Sequence, residues 1–228
     1  MRFEELNWMD IESYLQTDDR VMLVLGSCEQ HGYLSLQTDV RIPQALADAA
    51  SQECGVLVAP AINFGVSPYF MDFPGTISLQ PKTYLSVFED IMDSLIHHGF
   101  RRILIMNGHG GNHLATTTCN TILNQHPEVK IRWYSWWRSR AVQHIYEKHQ
   151  MKPGHGDWSE AFPFTIVSSL PDGEKIVPDI EGAISAQDMR KNFPDGVMGS
   201  PYTADMSIMD ELFKTALANV LHLLSFED

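Results

Sequence analysis

Cysteine is scarce in this chain. Cys28, Cys54 and Cys119 are the only three in 228 residues, and none forms a CxxC pair. An odd count without paired spacing suggests neither a disulfide framework nor a thiolate zinc site, so a reducing, cytoplasmic setting is expected. Positive charge is short as well: 16 Lys and Arg stand against 29 Asp and Glu, a formal charge of −13. Such a surface repels a phosphate backbone, and nucleic acid is not an expected partner. No apolar run approaches the roughly 20 residues that cross a bilayer. Met1 to Asp10 carries three acids, where a secretory segment needs an apolar core and a transit peptide a basic face. A membrane is therefore not an expected partner either. What is present, 44% hydrophobic and 20% charged residues, is ordinary for a globular protein. The length suits one domain, residues 1–228, with a sizeable core and no staples.

Short apolar runs closed by glycine or polar clusters alternate with segments of helical spacing, the pattern of βα units around a mostly parallel sheet. Strands are expected at Val21 to Leu25, Leu57 to Ala59, Arg102 to Met106, Lys130 to Tyr134 and Phe162 to Val167. Helices are expected at Pro43 to Ala50, Lys82 to His98, Leu114 to Asn124 and Ser207 to Leu224. In the second helix Tyr84, Leu85, Phe88, Ile91, Met92, Leu95 and Ile96 recur at spacings of three and four, and Gly99 supplies a stop. Between Pro171 and Pro201 proline, glycine and aspartate accumulate, which reads as an ordered excursion from the core.

Polar clusters follow the apolar runs, and open α/β sheets bind ligands beyond the carboxyl ends of their strands, so the clusters should converge. They are Cys28-Glu29-Gln30-His31-Gly32 with Thr38-Asp39, then Asn107-Gly108-His109-Gly110-Gly111-Asn112-His113, then Gly154-His155-Gly156-Asp157-Trp158-Ser159-Glu160. Glu29, His31, Asp39, His109 and Glu160 form an oxygen-and-imidazole ligand set without sulfur, suited to zinc, manganese or iron. Five such groups exceed the needs of one catalytic ion that keeps a position open for water. The set points to two divalent ions, zinc first, with Asp39 as the bridging carboxylate. A single histidine after a strand is more often a satisfied histidine than a ligand; here it is the co-location that counts. Glu29 and His31, two residues apart, share one face of an extended segment. Gly108 to Gly111 could instead be a turn that needs positive φ. It is a poor phosphate cradle, with no Lys and no GxxxxGK[ST] spacing. A phosphoesterase would also need Arg or Lys among the ligands, whereas Arg101-Arg102 precede their strand.

The ordered series Glu29-Gln30-His31-Gly32, Thr38-Asp39, Phe73-Pro74-Gly75-Thr76-Ile77-Ser78-Leu79 and Asn107-Gly108-His109-Gly110-Gly111-Asn112 resembles that of the creatininase (creatinine amidohydrolase) family. Gly196-Val197-Met198-Gly199-Ser200-Pro201 is similar to the family's glycine-proline segment, so the resemblance spans nearly the whole chain. It implies a three-layer α/β/α fold, a binuclear metal centre and assembly into homo-oligomers, commonly hexamers. It also implies hydrolysis of a C–N bond, in an amide, cyclic amide or formamide of a small molecule, by metal-bound hydroxide. By residue, Glu29, His31, Asp39 and His109 match metal ligands, and His155 and Glu160 match the His and Glu of a motif usually written HAGxxETS. Ser67 aligns with a substrate-contacting serine.

Three departures matter. The loop from His31 to Asp39 is one residue short, so a local bulge is expected. Gly110 and Gly111 stand where creatininases carry an aromatic residue and a metal-binding Glu, and Glu160 is the nearest replacement ligand. Met151-Lys152 replace a Trp-Asp pair that contacts creatinine, so creatinine is not the expected substrate. Relatives with plain NGHGGN include formamide hydrolases, peptide-processing enzymes and hydrolases of oxidised inositols. A metal-binding module without activity is the remaining alternative.

The expected catalytic pair is His155, as proton donor to the departing nitrogen, and Glu160, as competing general base. Tyr69, Phe70, Gly110 and Trp158 are expected around the substrate. Trp136-Trp137 read as packing or subunit contact, Asn112 and His113 as a helix cap, His97-His98 as partners of a helix C-terminus, and His144 and His149 as solvated.

Overall fold

The computed structural model describes residues 1–227. Strands β1 (Arg20–Leu25), β2 (Leu57–Ile62), β3 (Arg102–Asn107) and β4 (Lys130–Ser135) form one parallel sheet in the order β2-β1-β3-β4. Val21, Leu23 and Leu25 point into one helical layer, and Met22 and Val24 into the other. Burial on both faces is why this run is apolar throughout. Each of these side chains is fully buried and contributes about 1.5–3 kcal/mol of hydrophobic stabilisation.

One layer holds α2 (Thr38–Cys54), α5 (Arg140–Lys148) and α7 (Met206–Leu224); the other holds α1 (Trp8–Leu15), α3 (Pro81–His98) and α4 (Ala115–Gln125). The expected three-layer α/β/α arrangement is what forms. Proline at its first position starts α3, and Gly99, at φ 109°, ends it in the left-handed conformation that glycine adopts without cost. The crossover through α2 carries the chain from β1 to one neighbour, and that through α3 carries it back past β1 to β3. The order therefore turns between β1 and β3, the place where such sheets hold ligands. No helix among the described residues is long and apolar enough to cross a membrane.

Two expectations need correction. The α2 helix begins at Thr38, five residues before Pro43, which lies inside it. Asp39 is thus in its first turn, where the helix dipole favours an acid. Phe162 to Val167 is not a strand: Thr165 and Ile166 turn back to the Phe162 carbonyl, and Ile166 alone forms a bridge, to Leu34. Pro163 has no N–H for a ladder, and Phe162 instead buries its ring in the core. Trp136 is buried and Trp133 and Trp137 are half-buried, in keeping with the packing reading of this stretch. The excursion between Pro171 and Pro201 contains α6 (Ala186–Asn192) and packs Met189 and Phe193 against Phe70 and Phe73.

Candidate metal centre

Leu25 and Asn107 are register partners, so the chain leaves β1 and β3 side by side. The Gly108 N–H donates to the Leu25 carbonyl (2.8 Å). A Cβ on Gly108 would lie 1.9 Å from the Asp39 carbonyl oxygen. Only glycine lets the end of β3 pack on the first turn of α2. The short passage from His31 to Asp39 needs no bulge. Two turns take it up, Leu34 N–H to His31 O and Thr38 N–H to Ser35 O, each 3.0 Å. Asn112 is no helix cap: its amide donates to the Gly26 carbonyl (3.0 Å), tying the turn after β3 to the end of β1.

Asp39 stands between two groups of ligand atoms. Its Oδ2 is 3.0 Å from His109 Nδ1, which is 3.3 Å from Glu29 Oε1. Its Oδ1 is 3.1 Å from His31 Nε2, which is 3.9 Å from Glu160 Oε2. Glu29, Asp39 and His109 form one compact ligand triad, and His31, Asp39 and Glu160 another. Two ligands bound about 2.0–2.2 Å from one tetrahedral ion lie about 3.3 Å from each other. Most of these separations have that scale.

Proton positions agree with such a centre. Each histidine has a backbone carbonyl at one ring nitrogen: His31 Nδ1 at Glu29 O (3.1 Å), His109 Nε2 at Val66 O (3.0 Å), His155 Nε2 at Gln30 O (2.7 Å). With the N–H donated there, the other nitrogen of each ring faces the carboxylates, the arrangement by which a second contact orients a metal-ligating imidazole. Asp39 Oδ2 is buried and meets no well-aligned donor, its one polar neighbour being His109 Nδ1 at 3.0 Å. A buried carboxylate oxygen without a donor fits a cation as its partner.

The field is strongly coupled. Burial opposes charge on His31, yet Asp39 and Glu160 raise its pKa to about 10. Burial likewise opposes charge on His109, and Glu29 and Asp39 raise its pKa well above the usual value. Burial, then Asp39, raises that of Glu29. Against burial, His31 and His109 hold Asp39 below the carboxylate range. Burial lifts Glu160 to about 7. Burial and His31 together depress His155 to about 3, so its Nδ1, 3.9 Å from Glu29 Oε1, is a bare acceptor. Its ring stacks on Phe70, centroids 4.5 Å apart. Its one proton is committed to Gln30, so it must first take a proton before it can deliver one.

The expected substrate contacts divide. The buried Ser67 hydroxyl lies 2.8 Å from Ser27 Oγ and 3.2 Å from His109 Nε2, and supports His109 from behind. Tyr69 is half-buried against Phe70, and burial, then Glu29 and Asp39, keep its phenol protonated. Gly110 is exposed and faces open space. Trp158 is not a substrate wall: the ring is fully buried edge-on to Tyr146, and its indole N–H donates to the Lys152 carbonyl (3.1 Å). Gly111 could not carry the Glu found there in creatininases, because its Cβ would lie 2.1 Å from Val66 O and 2.5 Å from His109 Nε2. His113 stacks on Trp133 and accepts from Arg138 (3.0 Å), and His149 pairs with Glu211 (2.9 Å) while His144 is exposed.

Sequence reasoning missed Ser27, the Gln30 carbonyl and Asp157. Asp157 Oδ1 accepts from the N–H (3.0 Å) and hydroxyl (2.7 Å) of Ser159 and so shapes the turn that carries Glu160. Gly199 leaves room for it, since a Cβ there would lie 1.9 Å from Asp157 Oδ2, and nothing local in the sequence signals that pairing.

Fold and cluster define an α/β/α protein with a buried carboxylate–histidine centre suited to divalent cations. The Creatininase family model, described as creatinine amidohydrolase, matches residues 4–224, and the chain belongs to this family. It is similar to creatinine amidohydrolase of Pseudomonas putida, 36% identical over 115 residues, 47% of this chain and 44% of that protein. It is also similar to the mycofactocin precursor peptide peptidase of Mycobacterium tuberculosis (strain CDC 1551 / Oshkosh), 35% identical over 112 residues, 44% of each chain. The matched part is thus less than half the length of either relative. In fold it resembles a manganese creatininase, with TM-score 0.77, 22% identity and coverage of 97% of this chain and 96% of that one. A zinc-zinc form of a creatininase variant gives 0.77, 23%, 97% and 95%.

Proposed function

We propose that the chain is a metal-dependent hydrolase that holds two divalent ions, zinc first and manganese or iron as alternatives, and cleaves a C–N bond of a small molecule. The observation that carries this reading is the position of Asp39, one carboxylate oxygen to each of two ligand triads. Three donors per triad leave positions open, as in a catalytic site; a structural ion is closed by four. That favours an enzyme over an inert metal-binding module. Two bound ions supply the lowered pKa of water, toward about 7, and the polarisation of the scissile carbonyl.

The chain's own residues do the rest. The bare Nδ1 of His155 accepts a proton from the attacking water and returns it to the departing nitrogen, while Nε2–H stays on Gln30 and the Phe70 ring fixes the plane. Ser67 and the Val66 carbonyl keep the His109 ring turned toward Glu29 and Asp39. Similarity to a peptide peptidase favours a second form of the same chemistry, in which the C–N bond belongs to a peptide. A homo-oligomer, hexameric by family resemblance, belongs to the proposal and is checked by sedimentation.

Elemental analysis of protein purified without added metal is the test. About two ions per chain, falling to about one in Glu160→Ala, are expected, with formamides, cyclic amides and peptides as assay substrates. One ion or none in the wild type, unchanged by the substitution, would sink the binuclear reading.

A further inference from the structure

An open cavity of about 830 Å³ is lined by neighbours of the site residues and by none of the ligands themselves. One wall is Pro68 and Tyr69, which follow Ser67 behind His109 and precede Phe70 on the His155 ring. The opposite wall comes from the excursion, with Val177, Ile180, Phe193 and Met198. The Met198 N–H donates to the His155 carbonyl (2.8 Å), so this wall is fastened to the reacting end. The lining carries only two charges, Lys152 and Asp179. Among the described residues the lysine ion pairs are Lys148–Glu211 and Lys175–Asp195; Lys152 has no carboxylate within the 4.0 Å of an ion pair. Its backbone is nonetheless held, the carbonyl by the buried Trp158 indole.

We propose that this cavity selects an apolar, ring-bearing substrate that carries a carboxylate, with Lys152 as the anion contact; the proposal rests on the hydrolase reading above. Lys152 is exposed at the rim, so a carboxylate there gains a solvent-screened charge-assisted hydrogen bond in addition to the apolar walls, while a neutral analogue gains only the walls. Asp179 opposes the same anion and sets the limit of the preference. In the reaction water adds across the amide: the C–N bond breaks, oxygen joins the carbonyl carbon, and the nitrogen leaves with a proton.

N-formyl-L-phenylalanine and its neutral amide, N-formyl-L-phenylalaninamide, are the probes, measured on the zinc-loaded protein by calorimetry for binding and by formate release for turnover. The acid should bind about two- to fivefold more tightly than the amide. Lys152→Met should erase that difference and Asp179→Asn enlarge it, with zinc content unchanged in both. Equal binding of the two probes, or a preference that survives Lys152→Met, would overturn the proposal. The two readings fail separately. Preference with no turnover of this formamide or of the cyclic amides and peptides defeats the hydrolase reading alone, and turnover without preference defeats the cavity reading alone.

Discussion

The two halves of the cluster are built by different means. Glu29, Asp39 and His109 come from the ends of β1 and β3 and the first turn of α2, held by backbone packed on backbone at Gly108 and Gly111. His155 and Glu160 lie on a segment with one three-residue turn, held by side chains: Asp157 on Ser159, Glu160 Oε2 on the Gly156 N–H (2.7 Å) and His155 on Gln30. The first half is fixed wherever the sheet is fixed. The second half depends on a few polar contacts and on one buried ring, Trp158 against Tyr146, and can be lost without the sheet.

Substitutions should expose that difference. Asp39→Ala removes an atom from both triads, so both ions should go and activity fall to background, read by elemental analysis and turnover together. Retention of even one ion would show that Asp39 is no bridge. Gly108→Ala puts a methyl into the Asp39 backbone and should cost about 1–3 kcal/mol of stability, seen as a lower melting temperature, with both ions weakened alike. Gly199→Ala disturbs only the Asp157 side chain, so one ion should bind about 10–100-fold more weakly while the other is unchanged. If Gly199→Ala weakened both equally, the two halves would be one unit.

Proton release is the smallest expected effect. His31, with pKa about 10, and His109, raised well above its usual value, hold protons near pH 7 when no cation is present. The stability they contribute to the metal-free chain is complete below the unfolded histidine value of about 6.5 and is lost as pH rises toward 10. Metal entry displaces those protons, so affinity should rise with pH over the same interval. Calorimetry in two buffers of different ionisation heat should report about two to three protons released per chain at pH 7, two from the imidazoles and a fraction from the half-protonated Glu160; none would mean that both imidazoles are already bare.

The sheet and the first half of the site were legible because their signals are local. Apolar runs ending at Gly26 and Asn107 mark β1 and β3, and the ligands follow at once. The start of α2 was hidden by Pro43, which resembles a first helical residue but sits in the sixth position. Trp158 was misplaced because its aromatic ring suggests a substrate wall, while its burial depends on Tyr146 of α5, a helix whose buried face of Val142, Ile145 and Tyr146 sequence reasoning passed over. Phe162 to Val167 has the composition of a strand, and Pro163 was the overlooked sign against it. Asp157 and Gly199, 42 positions apart in sequence, meet only in the folded chain, and no local pattern announces such a pair.

A carboxylate shared between two triads also has a consequence for motion. Local openings in a folded protein require only the contacts they break, and release of residues 154–160 would break the Asp157, Gln30 and Gly156 hydrogen bonds and draw the Trp158 ring out of the core while leaving the sheet intact. In that open form Asp39 still belongs to a complete triad with Glu29 and His109. A singly loaded chain is thus a folded state in its own right. Hydrogen exchange near Glu160 should follow occupancy of the outer position, whereas amides of β1 and β3 report only on global unfolding.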